Sequence, residues 1–339
     1  MVIVQVDHLA RLTHEQRSAV LGLVKSAAHV DEVAPLSEQV LLAVRDSDPV
    51  SAGSSDFTTG SRHFLAYADP RLVGYAHLEQ GRNGGPATTA EIVVDPSHRR
   101  QGVGTALLRA LEHALAPRTD PGETLHLWSH GDLDCGRAFA HRAGYSMVRE
   151  LWQMRRPLRS DIASLPAVIL PEGFRTRHFV VGQDEEAWLR VNAHAFVDHP
   201  EQGRMTRHDL DRRIAEPWFD ASGFILIEDM RALEPVLAAS HWTKVVPADG
   251  PTTRPTIHPA ARPTEGEVYV VGVDPAYQGM GLGRIVTVLG LAHLREKGLT
   301  EAMLYVDADN RAAVSTYSKL DFARSAVDIM YSRIVHTPM

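Results

Sequence analysis

A single cysteine, Cys135, in 339 residues excludes an intrachain disulfide framework and fits a reducing compartment. No apolar run approaches the roughly 18 residues that a membrane-spanning helix requires. The stretch from Met1 to Leu12 carries Asp7 and lacks a basic segment followed by an apolar one, so no signal peptide is expected and the cytoplasm is the expected compartment. Positive charge is also in short supply: 35 Lys and Arg stand against 42 Asp and Glu, a formal charge of −7. Contact with phosphate backbones needs a basic face, and no arginine cluster here extends into one. Small molecules, not nucleic acid or membrane, are the expected partners, and a monomer is expected.

What is present suits ordinary globular folding, with 44% apolar and 23% charged residues. The length exceeds what one hydrophobic core usually serves, which predicts two domains. An internal repeat supports that number. Residues 91–112 read EIVVDPSHRRQGVGTALLRALE and residues 270–291 read VVGVDPAYQGMGLGRIVTVLGL. Asp95-Pro96 matches Asp274-Pro275, and Gly102 and Gly104 match Gly281 and Gly283, all at one offset of 179 residues. Further on, Gly144-Tyr145 answers Asp321-Phe322 at an offset of 177.

Pro157, Pro166 and Pro171 break regular structure between the copies, placing a first domain at 1–158, a linker at 159–171 and a second domain at 172–339. The Pro- and Thr-rich stretch 247–265 reads as a surface insertion within the second copy. Thr13 with Gln16 forms a capping-box pattern that opens a helix to about Ala28, and another helix starts near Ser37. Strands are predicted at His63–Tyr67, Leu72–Leu78 and Ala90–Val94, then a helix after Gly104. The second half repeats the order: helix Asp184–Phe196, strands Phe224–Ile227, Val236–Trp242 and Val268–Val273, and a helix from Leu282 to Lys297. Helices flanking a mostly antiparallel central sheet make each domain α+β.

Each copy places a glycine-rich turn between strand and helix: Arg99-Arg100-Gln101-Gly102-Val103-Gly104, and Gln278-Gly279-Met280-Gly281-Leu282-Gly283. Glycines let the backbone approach a ligand, and the free N–H groups of a helix N-terminus suit a diphosphate. A Walker loop would end in Gly-Lys-Ser/Thr, and neither copy has that lysine. The dinucleotide fingerprint G-x-G-x-x-G is absent from the second copy, which reads G-x-G-x-G.

This loop after a V-D-P strand end, with a later Asn-x-x-Ala helix and Gly-Phe-like turn, resembles the GCN5-related N-acetyltransferase (GNAT) superfamily. More narrowly, the tandem arrangement with PLSEQV (35–40), HPEQG (199–203), HWTK (241–244), GEVYVVGVDP (266–275) and LYVDADNRAAVSTY (304–317) resembles the mycothiol synthase family of actinobacteria. The resemblance implies two tandem GNAT-like domains, acetyl-CoA as co-substrate without a metal, and the cysteinyl amine of a Cys-glucosamine-inositol (Cys-GlcN-Ins) as acceptor. Another small amine, such as an aminoglycoside or a polyamine, and a non-catalytic CoA-binding module stay open as alternatives.

By the same resemblance Val271, Gly272 and Val273 offer backbone groups to the pantetheine arm, where Gly272 tolerates a bulge. Gln278, Gly279, Met280, Gly281, Leu282, Gly283 and Arg284 cradle the diphosphate, and Asn310, Arg311, Ala312, Ala313, Val314 and Ser315 flank the arm. The first copy offers Ile92, Val93, Val94, Arg100, Gln101, Gly102, Val103, Gly104 and Thr105. Glu38, Glu201, Lys244 and Tyr305 are implied substrate contacts. An ammonium has no lone pair to attack a thioester, so a general base is required; Glu267, alternating with Tyr269 and Val271 along its strand, is the candidate for base and substrate contact. Tyr317 is the candidate donor to the departing thiolate. The copy offsets carry Glu267 back to Thr88, Tyr317 to Ala140 and Asn310 to Leu133, so the first copy is expected not to catalyse. Cys135 is not expected to be a nucleophile, and His126 and His130 are expected to be surface histidines.

Overall fold

A computed structural model describes residues 3–45, 61–80, 88–115, 123–159, 161, 164–197, 200–245 and 265–335; the side chains of 61, 200 and 201 lie outside the description. Most of the insertion expected at 247–265 also lies outside the described residues. The chain begins with β1 (Gln5–Leu9), α1 (His14–Asp31), α2 (Glu38–Arg45), β2 (Ser61–Ala68), β3 (Arg71–Glu79) and β4 (Thr88–Val94). It continues with α3 (Val103–Leu115), β5 (Glu123–Ser129), α4 (Asp134–Arg142) and β6 (Ser146–Pro157). The second half forms β7 (Phe174–His178), α5 (Glu185–Ala195), α6 (Pro200–Gly203), α7 (Arg207–Ile214), β8 (Phe224–Asp229) and β9 (Val236–Lys244). Then come β10 (Glu265–Val273), α8 (Leu282–Glu296), β11 (Glu301–Asp307), α9 (Arg311–Ser318) and β12 (Ala323–Val335).

Local chemistry accounts for the boundaries. Thr13 caps α1 by accepting from the Gln16 backbone while the Gln16 side chain accepts from the Thr13 backbone, the reciprocal pair that its pattern predicts. Val103, Leu107, Leu111 and Leu115 recur every four residues and bury one face of α3 on the sheet. The repeated Asp-Pro pairs have a mechanical role. Asp95 accepts from the Ser97 backbone and Asp274 from the Ala276 backbone, each capping a short 3₁₀ turn whose first residue is the proline.

The described residues form two compact units, one running to Leu151 and resuming at Ala326, the other covering Trp152 to Ser325. In the first, strands order β1-β2-β3-β4-β5-β12; in the second, β6-β11-β10-β9-β8-β7. The two orders are the same by position, except that each place beside β5 or β11 is taken by the strand closing the other half of the sequence. The chain changes unit within β6 and again within β12, which differs from the expected division at 159–171. Pairing is antiparallel except for β4 with β5 and β10 with β11, which run parallel, among the described pairs.

Among the described residues His63, His77 and His241 are buried without charge. His63 and His77 in the first unit and His241 in the second are each lowered to about 4, in all three chiefly by burial. His241 fits because Gly290 of α8 has no side chain: a Cβ there would overlap the imidazole ring. A folded-state value below the unfolded 6.5 means that the unfolded chain binds more protons as pH falls. The associated stability is therefore complete above pH 6.5 and is lost on acidification toward pH 4. The melting temperature should drop over that window, and His241→Gln should flatten part of the drop; an unchanged pH profile in His241→Gln would refute its share.

Candidate active site

In the second unit β10 pairs with β11 only from Glu265↔Glu301 to Val268↔Leu304, although β10 continues to Val273. Beyond Val268 the two strands part, leaving Tyr269–Val273 with a strand edge that β11 does not cover. On its other side β10 pairs with β9, with one irregularity between Val268 and Val270. The bulge therefore sits at Tyr269, and Gly272, which would tolerate one, pairs regularly with Ser240. The extra residue turns the alternation: Glu267, Tyr269 and Val270 share the face covered by α5 and α7, whereas Val268, Val271 and Val273 pack toward α8. The expected alternation of Glu267 with Val271 is thus corrected, because the two lie on opposite faces.

Glu267 stands directly across from Lys244, with Lys244 Nζ 4.0 Å from Glu267 Oε2. Lys244 is buried against Trp218 and Tyr269. Tyr305 lies on β11 on the same face as Glu267 and accepts from Gln153 at 3.0 Å. Tyr317 of α9 packs against the α8 side of the sheet, edge to Phe322. Among the described residues nothing hydrogen-bonds its hydroxyl, and burial raises it to about 12, so it carries its proton at neutral pH. Base and donor candidates approach from opposite faces of the sheet, and the opening between β10 and β11 lies in the same sheet. Glu38 opens α2 in the first unit, and the Glu201 side chain lies outside the described residues.

The turn after β10 has Gly279 at φ 80° and Gly281 at φ 75°, left-handed values that a side chain strains to adopt. Gly281 is the N-cap of α8 and supplies no capping side chain, so the first N–H groups of a 15-residue helix remain for an anion. A Cβ at Gly279 or Gly281 would meet nothing within 4 Å, consistent with space kept for a ligand. Gln278, Met280 and Arg284 are exposed around this turn. Asn310 caps α9 through its side chain to the Ala313 backbone at 3.1 Å and orients Arg311–Ser315.

The first copy repeats the turn with Arg100 at φ 62° and Gly102 at φ 92°. Here β4 pairs with β5 only as far as Glu91↔Trp128, leaving Ile92–Val94 beyond it. A cavity of about 600 Å³ opens there, and every first-copy residue expected at the cofactor lines it except Gln101, which turns back to the Ser97 carbonyl. Arg99 is held by Asp31 through two hydrogen bonds. Strand β4 has no bulge, so pairing aligns Glu267 with Thr89, one residue from the Thr88 expected by constant offset. Leu133, matching Asn310, makes no side-chain cap, and Ala140, matching Tyr317, has no hydroxyl.

His130, expected at the surface, is instead mostly buried between Asp328 at 3.1 Å and Glu91 at 3.4 Å. Burial opposes its charge, but the hydrogen bonds to Asp328 and Glu91 outweigh it and raise His130 to about 10. Glu91 also accepts from the Ser37 backbone at 2.7 Å, so this carboxylate is committed to the fold. Sequence reasoning missed the cluster because Asp328 arrives from the far end of the chain.

The acetyltransferase (GNAT) family matches residues 36–145 and 194–322. A mycothiol acetyltransferase of Kytococcus sedentarius is 48% identical over 94% of this chain and 95% of its own length. One of Thermomonospora curvata is also 48% identical, over 94% of both chains. The chain belongs to the mycothiol acetyltransferase family of GNAT acetyltransferases. A tandem GNAT protein from the clavulanic acid biosynthesis pathway shares the fold, with a TM-score of 0.68, 16% identity and coverage of 98% of this chain and 99% of its own. A GCN5-related N-acetyltransferase from Sphaerobacter thermophilus gives 0.64 at 20% identity, covering 98% and 96%. For this mycothiol acetyltransferase family member the chemistry is acetyl transfer, and acetyl-CoA is the co-substrate of the GNAT acetyltransferases. Among the described residues no helix is long and apolar enough to cross a membrane.

Proposed function

We propose that the chain moves acetyl from acetyl-CoA to the cysteinyl amine of Cys-GlcN-Ins, giving mycothiol, and that the second copy does the chemistry. The observation carrying this reading is the placement of Glu267, with Lys244 opposite, immediately before the point where β10 parts from β11. An α-amino group titrates near pH 8, so at neutral pH a large share of the acceptor carries a proton that must be removed. Glu267 takes that proton. The uncovered backbone of Val271–Val273 and the turn from Gln278 to Arg284 hold the co-substrate, which supplies the activated acetyl group. Tyr317, protonated, donates to the departing sulfur. Tyr305 and Glu201 are assigned to the polar acceptor. The first copy is assigned a structural acetyl-CoA site without catalysis.

Mass spectrometry of the product from acetyl-CoA and Cys-GlcN-Ins tests the reading: one acetyl group on the amine is expected, and an unmodified acceptor would overturn it. Tyr317→Phe should lower turnover about tenfold or more while leaving acetyl-CoA affinity nearly unchanged. Unchanged turnover would make Tyr317 a packing residue.

A further inference from the structure

Lys244 is withdrawn from water, and an ammonium in that setting needs compensation. Part of it comes from Glu267, and part from two ring faces: Nζ lies 4.7 Å from the centroid of Trp218 and 5.0 Å from that of Tyr269. The rings are themselves fixed. Trp218 meets Tyr269 at 5.1 Å, both pack against Trp242, and Arg213 donates to the Tyr269 hydroxyl at 2.8 Å.

We propose that Trp218 and Tyr269 are positioning residues for acetyl transfer: their faces hold the Lys244 ammonium beside Glu267 and so fix where the acceptor nitrogen meets the base. The inference rests on the function proposed above. Comparison of the copies supports a role beyond folding. Pairing aligns Lys244 with Glu79 and Glu267 with Thr89, and Tyr269 is the extra residue of a bulge that the first copy lacks. The same sheet is therefore built in the first unit without the Lys244–Glu267 pair and without Tyr269. A lysine side chain has four rotatable bonds, and beside a catalytic carboxylate a mobile ammonium would occupy the space of the incoming amine. Two aromatic walls remove that freedom through their ring faces, and the one acceptor oxygen they carry, the Tyr269 hydroxyl, is engaged by Arg213.

A double-mutant cycle tests this. Trp218→Leu should lower kcat/KM for the acceptor about 3- to 30-fold while leaving the KM for acetyl-CoA unchanged, and Trp218→Phe should restore most of the loss. In a Lys244→Met background the same Trp218→Leu change should alter kcat/KM by no more than about twofold, because the group it positions is gone. Tyr269→Leu should repeat the pattern, which keeps the test open if Trp218→Leu does not fold. Independent, multiplying effects in a parent enzyme that turns over would overturn the positioning role alone. A parent that acetylates no cysteinyl amine would overturn the proposed function and this inference with it.

Discussion

Glu267→Gln is expected to lower turnover about 10²- to 10⁴-fold at neutral pH while acetyl-CoA binding stays intact. Glutamine keeps the shape of the side chain and its place on β10 but accepts no proton from an ammonium. The change also leaves Lys244 facing a neutral amide, and any displacement of the lysine would add to the loss. The rings of Trp218 and Tyr269 limit that displacement, and a melting temperature close to the parent's would exclude general disruption. If the amide variant lacks only a base, raising pH should recover part of the rate, because more of the acceptor then arrives uncharged. A rate within about threefold of the parent at neutral pH would remove Glu267 from the mechanism.

The parts of this site that were legible in the sequence are those set by neighbours in the chain. Gly279, Gly281 and Gly102 declare a left-handed turn by composition, and Asp95 and Asp274 declare a capped one, because each motif is complete within a few residues. What depends on strand pairing was not legible. The bulge at Tyr269 leaves no compositional trace, yet it moves Val271 to the other face and shifts the counterpart of Glu267 to Thr89. The exchange of β6 and β12 is equally hidden, since both strands have ordinary patterns wherever they pair. Distance in sequence concealed the clusters too. Asp328 lies 198 residues from the His130 it holds, and Lys244, Trp218 and Tyr269 converge from β9, the segment after α7, and β10.

Gly281→Glu is expected to reduce turnover by on the order of 10²-fold or more, and Gly102→Glu to leave most of it. Both glycines have left-handed φ, 75° and 92°, and at both a Cβ would meet nothing within 4 Å. The backbone strain of adding a side chain is therefore similar, roughly 1–2 kcal/mol, and each variant controls for the other. What differs is the consequence of a carboxylate at the helix N-terminus. At Gly281 it would occupy the turn preceding α8 and repel a diphosphate where the free N–H groups would otherwise attract one. At Gly102 the same charge enters the first-copy cavity, whose strand aligns Thr89 with the base and whose helix α4 carries Ala140 where α9 carries Tyr317. Its one acid on that strand, Glu91, is already bound to the Ser37 backbone and His130. Measuring turnover and bound CoA stoichiometry in both variants separates the roles. Folded Gly102→Glu should bind less CoA yet retain turnover; if it loses turnover while the second site still loads, the first copy takes part in catalysis and the assignment to the second copy alone is wrong.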